Sequence, residues 1–253
     1  MTKIIKVCID RRLPEDLMEK AYHKAIMENP DNKPKGAEAK GLGDKELAML
    51  SGKKWANGKT LKVSFMDGAP EVQAKVEKIP HIWSGFANIR FDFGNHHDAQ
   101  IRISFAQEGS WSYLGTDALS IPTDEPTMNY GWFDEETDDE EYSRVVLHEF
   151  GHALGCVHEQ ASPNADIPWD EDRVYEYYGG PPNNWTKQEI YHNVLIKYGK
   201  TDGVEVSEFD PESIMIYAIP NEFTIGDFEI GWSRELSEKD KLMIREMYPP
   251  STD

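Results

Sequence analysis

The stretch "HEFGHALGCVHE", His148 to Glu159, sets three histidines and two glutamates in a segment otherwise apolar enough to be buried. On a helix, residues four apart lie one turn above each other on the same face, so His148 and His152 can direct both imidazoles at one point. That is a clamp for a divalent metal. Glu149 follows the first histidine directly, so its carboxylate projects beside the metal rather than onto it, where it can handle protons. Gly155 comes three residues after His152, and glycine tolerates the left-handed conformation that ends a helix and reverses the chain. His158 can then swing back toward the pair. Three neutral imidazoles leave a tetrahedral zinc with one open position, which distinguishes a catalytic site from a closed structural one. Water at that position has its pKa lowered toward neutrality.

The elements that must hold these residues are readable upstream and downstream. The acidic "DEETDDEE" lacks the alternating oxygen ligands and central glycine of a calcium loop. Thr137 with Glu140 three residues on reads instead as a capping box, opening a helix through "EYSRVVLHEFGHALG" with carboxylates at its positive end. Leu61, Val63 and Phe65 alternate as in a strand, and "PEVQAKVEKI" reads as a helix stopped by Pro80. "NIRFDFG" and "QIRISFA" read as neighbouring strands across the turn-like "NHHDA", whose His96 and His97 diverge on an extended chain and suit a solvated loop. Near the start, Leu17, Ala21 and Ala25 recur at four-residue steps behind Pro14, which predicts a helix. The Pro-, Gly- and charge-rich "PDNKPKGAEAKGLGDKE" then reads as a linker before a short helix near "ELAMLSG". A domain boundary falls between residues 30 and 58.

With 253 residues and 39% hydrophobic content, the chain can bury a sizeable core. Its net charge of −19 argues against nucleic-acid and anionic-membrane partners, which need concentrated Lys and Arg. No apolar run is long enough for a membrane span, and "MTKIIKVCIDRRL" is too short and interrupted for a signal peptide. The expected location is therefore the cytoplasm, or outside the cell by a leaderless or processed route. Cys8 and Cys156 are too few for a disulfide scaffold or a zinc ribbon, and a single bridge between them is possible but unforced.

A lone HExxH recurs by chance, but here six positions agree: His148, Glu149, His152, Gly155, His158 and Glu159. "HEFGHALGCVHE" resembles the extended zinc motif of the metzincin metalloendopeptidases, and Glu159 directly after the third histidine looks most like the astacin branch. Far downstream, "SIMIY", Ser213 to Tyr217, is similar to the astacin Met-turn. "SWSYLG" and "LSEKDKLMIREMYP" are similar to further astacin segments, so the resemblance spans about residues 60 to 249.

The resemblance implies an α+β metzincin fold in two lobes: a twisted, mostly parallel sheet with an antiparallel edge strand and the active-site helix, then an irregular lobe ending in a helix. Residues 1–58 would be an N-terminal extension, regulatory or pro-segment-like, and 59–253 the catalytic domain, with an upper lobe 59–155 and a lower lobe 156–253. It implies one catalytic zinc held by His148, His152 and His158, Glu149 as general base and acid, and Tyr217 as a fifth ligand or transition-state donor. Met215 would be an apolar floor. Glu159 corresponds to the astacin glutamate that binds a freshly cut amino terminus.

The implied activity is a zinc metalloendopeptidase, hydrolysing internal peptide bonds by a zinc-bound water that Glu149 activates, on protein or peptide substrates and as a monomer. A substrate would lie extended along an edge strand near "TMNYGWF", with a specificity pocket walled by "AIPNEFTIGDF". Two alternatives are a catalytically silent peptide-binding module, against which the intact Glu149 argues, and a zinc hydrolase of a non-peptide amide. Cys8 raises the prospect of a thiol latch on the zinc, as in the matrixins. "KVCIDRRLP" does not match the matrixin switch sequence, however, and a lone cysteine more often serves as a small buried hydrophobe.

Overall fold

The computed structural model describes residues 6–34, 52–181, 183–198 and 208–251. The expected helix near "ELAMLSG" and most of the linker before it lie outside them. Strand β1 is Cys8–Arg11 and helix α1 Met18–Glu28. Strand β2 is Thr60–Phe65 and helix α2 Pro70–Lys78, with Pro70 at its first position as the missing N–H allows. Strands β3 to β6 are Arg90–Phe93, Ile101–Ser104, Ser110–Tyr113 and Met128–Tyr130. Helix α3 is Asp139–Leu154, α4 is Glu171–Gly179 and α5 is Glu238–Met247.

The strands form one sheet in the order β1-β5-β6-β4-β2-β3. All pairings are parallel except β5 with β6. This is the expected α+β fold with its mostly parallel sheet, and α3 packs across it within one large core that also holds Val145, Val146 and Phe150. Among the described residues no helix is long and apolar enough to cross a membrane.

Two local expectations are corrected. β3 and β4 are not neighbours: β3 pairs with the first half of β2 and β4 with its second half, on opposite sides, both meeting it at Val63. Alternation of apolar residues specifies a buried face, not a partner strand. The cap of α3 is Asp138, whose carboxylate accepts from the Glu141 amide at 2.7 Å. Thr137 turns away and donates to Asp134 at 2.9 Å, so the cap lies one residue beyond the expected Thr137.

The N-terminal segment packs on the rest of the molecule. β1 extends the sheet, α1 buries Ala21, Tyr22 and Ala25, and Ile9, Leu13 and Leu17 cover a small cluster of Trp111, Tyr113, Ala118 and Ile121. Cys8 and Cys156 are both buried and free.

Candidate active site

Helix α3 carries the first two histidines and stops where the third needs it to. Gly155 has φ of 101°, a left-handed conformation that glycine adopts at little cost. Its amide donates to the His152 carbonyl at 2.8 Å and the Cys156 amide donates to the Gly151 carbonyl at 2.9 Å, the paired bonds of a Schellman stop. The remaining terminal carbonyls also find donors: Trp55 Nε1 reaches Ala153 at 2.7 Å and the Tyr248 hydroxyl reaches Leu154 at 2.6 Å. A helix end with its carbonyls satisfied is fixed in direction, and so is the chain that leaves it toward His158.

That stop brings His148, His152 and His158 together, buried at 3%, 1% and 3% exposure. Their Nε2 atoms lie 3.0–3.1 Å from one another. His148 Nδ1 donates to the Ile214 carbonyl at 2.7 Å, and His152 Nδ1 to the Cys156 carbonyl at 2.8 Å. A carbonyl can only accept, so in the neutral rings those Nδ1 atoms carry the hydrogen and the Nε2 lone pairs point inward. Burial, reinforced by the neighbouring imidazoles, holds His148 and His158 well below the usual histidine pKa, hence neutral. Lone pairs converging at such distances repel unless a cation lies among them. The donor set, three neutral imidazoles each able to offer one nitrogen, fits zinc.

Glu149 is fully buried on the same helix. Its carboxylate and the Cys8 thiol lie within 4.8 Å of each other and of the His148 ring nitrogen. Burial first, and then the Glu149 charge, push the Cys8 thiol well up in pKa. Tyr217 stands at the other side, its ring centroid 4.6 Å from that of His158, and its hydroxyl donates to the Cys8 carbonyl. The site residues read from sequence thus converge, and Cys8 joins them.

Beneath them the Met-turn is bolted to the last helix. Asp240, in a capping box with Ser237 at the start of α5, accepts from the Ile214 amide at 2.8 Å and from Ser213 Oγ at 2.6 Å. The Ile214 carbonyl in turn receives His148. Met215 is buried with its sulfur against Gly151, where any side chain would overlap it. Glu159 accepts from the Asp210 amide at 2.9 Å, and burial, with Asp210 and Asp240 adding, pushes its pKa up to about 7. Asp240 and Asp210 were not singled out in the sequence; the S-x-x-D spacing of Ser237 and Asp240 is the signal that marks this cap.

The edge strand expected at "TMNYGWF" is corrected. Met128–Tyr130 lies inside the sheet, between β4 and β5, because the antiparallel β5, "SWSY", adds on its outer side. The outer side of β5 is in turn covered by β1, with Cys8 opposite Ser110. The "AIPNEFTIGDF" segment packs on chain that follows α3, Ile219 bridging to Ile230 and Phe223 against Tyr177 and Tyr178.

No family model matches the sequence, and no curated protein does. Solved structures do match. A structure of myroilysin is 46% identical, covering 79% of this chain and 97% of that one, with a TM-score of 0.76. A crystal structure of myroilysin is 38% identical over 96% of this chain and all of that one, with a TM-score of 0.62. High choriolytic enzyme 1, a hatching enzyme zinc-protease from Oryzias latipes (medaka fish), is 19% identical over 79% of this chain and 94% of that one, at a TM-score of 0.52, a likeness of fold.

Proposed function

Because the chain belongs to the astacin family of zinc metalloproteases, we propose that His148, His152 and His158 hold its zinc and that Glu149 moves the proton of peptide-bond hydrolysis. The enzyme acts on protein or peptide substrates. Zinc bound by the three imidazoles supplies Lewis acidity, which polarises the scissile carbonyl and makes water a usable nucleophile near neutral pH. Glu149 takes a proton from the attacking water and delivers it to the leaving amine. Tyr217 donates its hydroxyl to the carbonyl oxygen as negative charge develops there. The observation that carries this reading is the set of Nε2 atoms 3.0–3.1 Å apart, with two of the rings tied outward through Nδ1 and Glu149 beside them.

The N-terminal extension, residues 1–58, holds the enzyme latent. β1 pairs along the outer side of β5, the slot an extended substrate would use, and its register sets Cys8 opposite Ser110. The same strand places the thiol against His148 and Glu149, where it denies the site to water, and occupies the Tyr217 hydroxyl with a backbone carbonyl. Both the strand slot and the reactive centre are thus covered by one segment.

The test is incubation of the full chain carrying Cys8→Ala, which takes the thiol out of the site, with an unstructured protein, with and without a zinc chelator and alongside the same chain bearing Glu149→Ala, followed by mass spectrometry of fragments. Internal cleavage that requires both metal and Glu149 is expected. Cleavage that survives loss of Glu149 would overturn the assignment.

A further inference from the structure

Three strands set Cys8, Ser110 and Tyr130 in one transverse row, Cys8 opposite Ser110 and Ser110 opposite Tyr130. Residues paired across a ladder present their side chains on the same face. Here that face is the one α3 covers: Cys8, Met128 and Tyr130 belong to the large core, whereas Trp111, Tyr113 and Ile9 form the separate cluster behind the sheet.

Ser110 and Tyr130 are both fully buried. Neither Ser110 Oγ nor the Tyr130 hydroxyl has a hydrogen-bond partner among the described residues. A buried hydroxyl left without a partner is costly, and such groups are ordinarily satisfied by protein or by ordered water. Had Tyr130 served only to fill the core, phenylalanine would do so without that cost.

The acceptor at hand is Glu149. The Cys8 thiol, at the end of the same row, lies within 4.8 Å of its carboxylate. Tyr130 senses that carboxylate too: burial raises its phenol well above the usual value, and the Glu149 charge raises it further. The Tyr130 ring is held by stacking on Phe133, centroids 4.9 Å apart and planes within 11°, so the hydroxyl has a fixed direction.

We propose that Tyr130 and Ser110 are positioning residues for Glu149: their hydroxyls donate to its carboxylate through buried water and aim it at the three imidazoles once Cys8 withdraws. This rests on the reading of Glu149 as the proton carrier. The row sets the thiol beside the carboxylate in the latent enzyme and leaves the two hydroxyls in place when the thiol departs.

The experiment uses the full chain carrying Cys8→Ala, loaded with zinc, as the parent. Tyr130→Phe and Ser110→Ala are introduced singly, and kcat, KM, zinc content and Tm are measured for each. Tyr130→Phe keeps the ring and its stacking, so it folds as the parent does. It is expected to lower kcat about tenfold or more with KM within about twofold, full zinc content and an unreduced Tm. Ser110→Ala should act in the same direction. In a Glu149→Gln background, Tyr130→Phe should cause no further loss, because two residues that act through one carboxylate are not additive. Unchanged kcat, or a loss accompanied by zinc release or a fall in Tm, overturns the proposal while leaving Glu149 in its role if Glu149→Gln is inactive. A parent that hydrolyses nothing, or an active Glu149→Gln, overturns the reading of Glu149 and this proposal with it.

Discussion

The Tyr217 hydroxyl donates to the backbone carbonyl of Cys8, across 209 residues of sequence. The group proposed to steady the reacting oxygen is therefore occupied by β1. That one strand meets β5, Tyr217, Glu149 and His148 together, as the proposed latency requires.

Cys8→Ala removes the thiol while keeping the strand. The full chain should become more active on a quenched peptide, or respond less to a thiol-reactive mercurial than the unaltered chain does. Equal activity of the two proteins, with no response of either to the mercurial, would contradict a latch at Cys8.

Gly151 meets the sulfur of Met215 and the ring of Trp83. Valine there has no room, and overpacking of this kind costs about 1–3 kcal/mol, more than the roughly 1 kcal/mol by which a side chain improves on glycine within a helix. Gly151→Val should lower the Tm by several degrees in a thermal melt. A Tm equal to that of the parent would show that the Met-turn yields easily and is not a rigid floor.

Asp240 reaches the zinc site through one residue: it accepts from the Ile214 amide, and the Ile214 carbonyl accepts from His148 Nδ1. Asp240→Ala should weaken zinc binding about tenfold to a hundredfold, the usual effect of removing a partner behind a metal ligand. Competition against a chromogenic chelator measures it. Unchanged affinity would mean that the imidazole is oriented by its packing alone.

Asp117 is half-buried beside Lys53, its side chain 13% exposed and its oxygen 2.9 Å from Nζ. Burial outweighs the lysine and raises its pKa above the ordinary value of 3.8. The folded state therefore binds more protons than the unfolded one in the window just above 3.8, so this group's contribution to stability falls as pH rises through that window. Asp117→Asn removes the dependence. The Tm of the variant minus that of the parent should rise between about pH 4 and pH 7, and a flat or falling difference would contradict the direction of the shift.

Much of the site was legible because it is local. His148, Glu149, His152 and Gly155 lie within about two turns, where helical periodicity and the glycine stop dictate geometry. Met215 and Tyr217 became legible only through the resemblance, since an isolated Met or Tyr carries no spacing signal. What stayed hidden depends on contacts between distant segments. Whether "SWSY" or "TMNY" lies outermost is decided by strand order, which alternation does not encode. That Cys8 meets Glu149 follows from the register of β1 on β5, and a lone cysteine gives no hint of it. Asp240 looks like an ordinary helix cap until the Met-turn is seen folded against it.

The account depends most on three imidazoles gripping one metal ion, and elemental analysis of exhaustively dialysed protein addresses that directly. One zinc per chain is expected in the unaltered protein and in Glu149→Gln, falling to near zero when His152 is replaced by alanine in an otherwise folded chain. Metal-free unaltered protein that still cleaves its substrate, or full zinc content without His152, would contradict it.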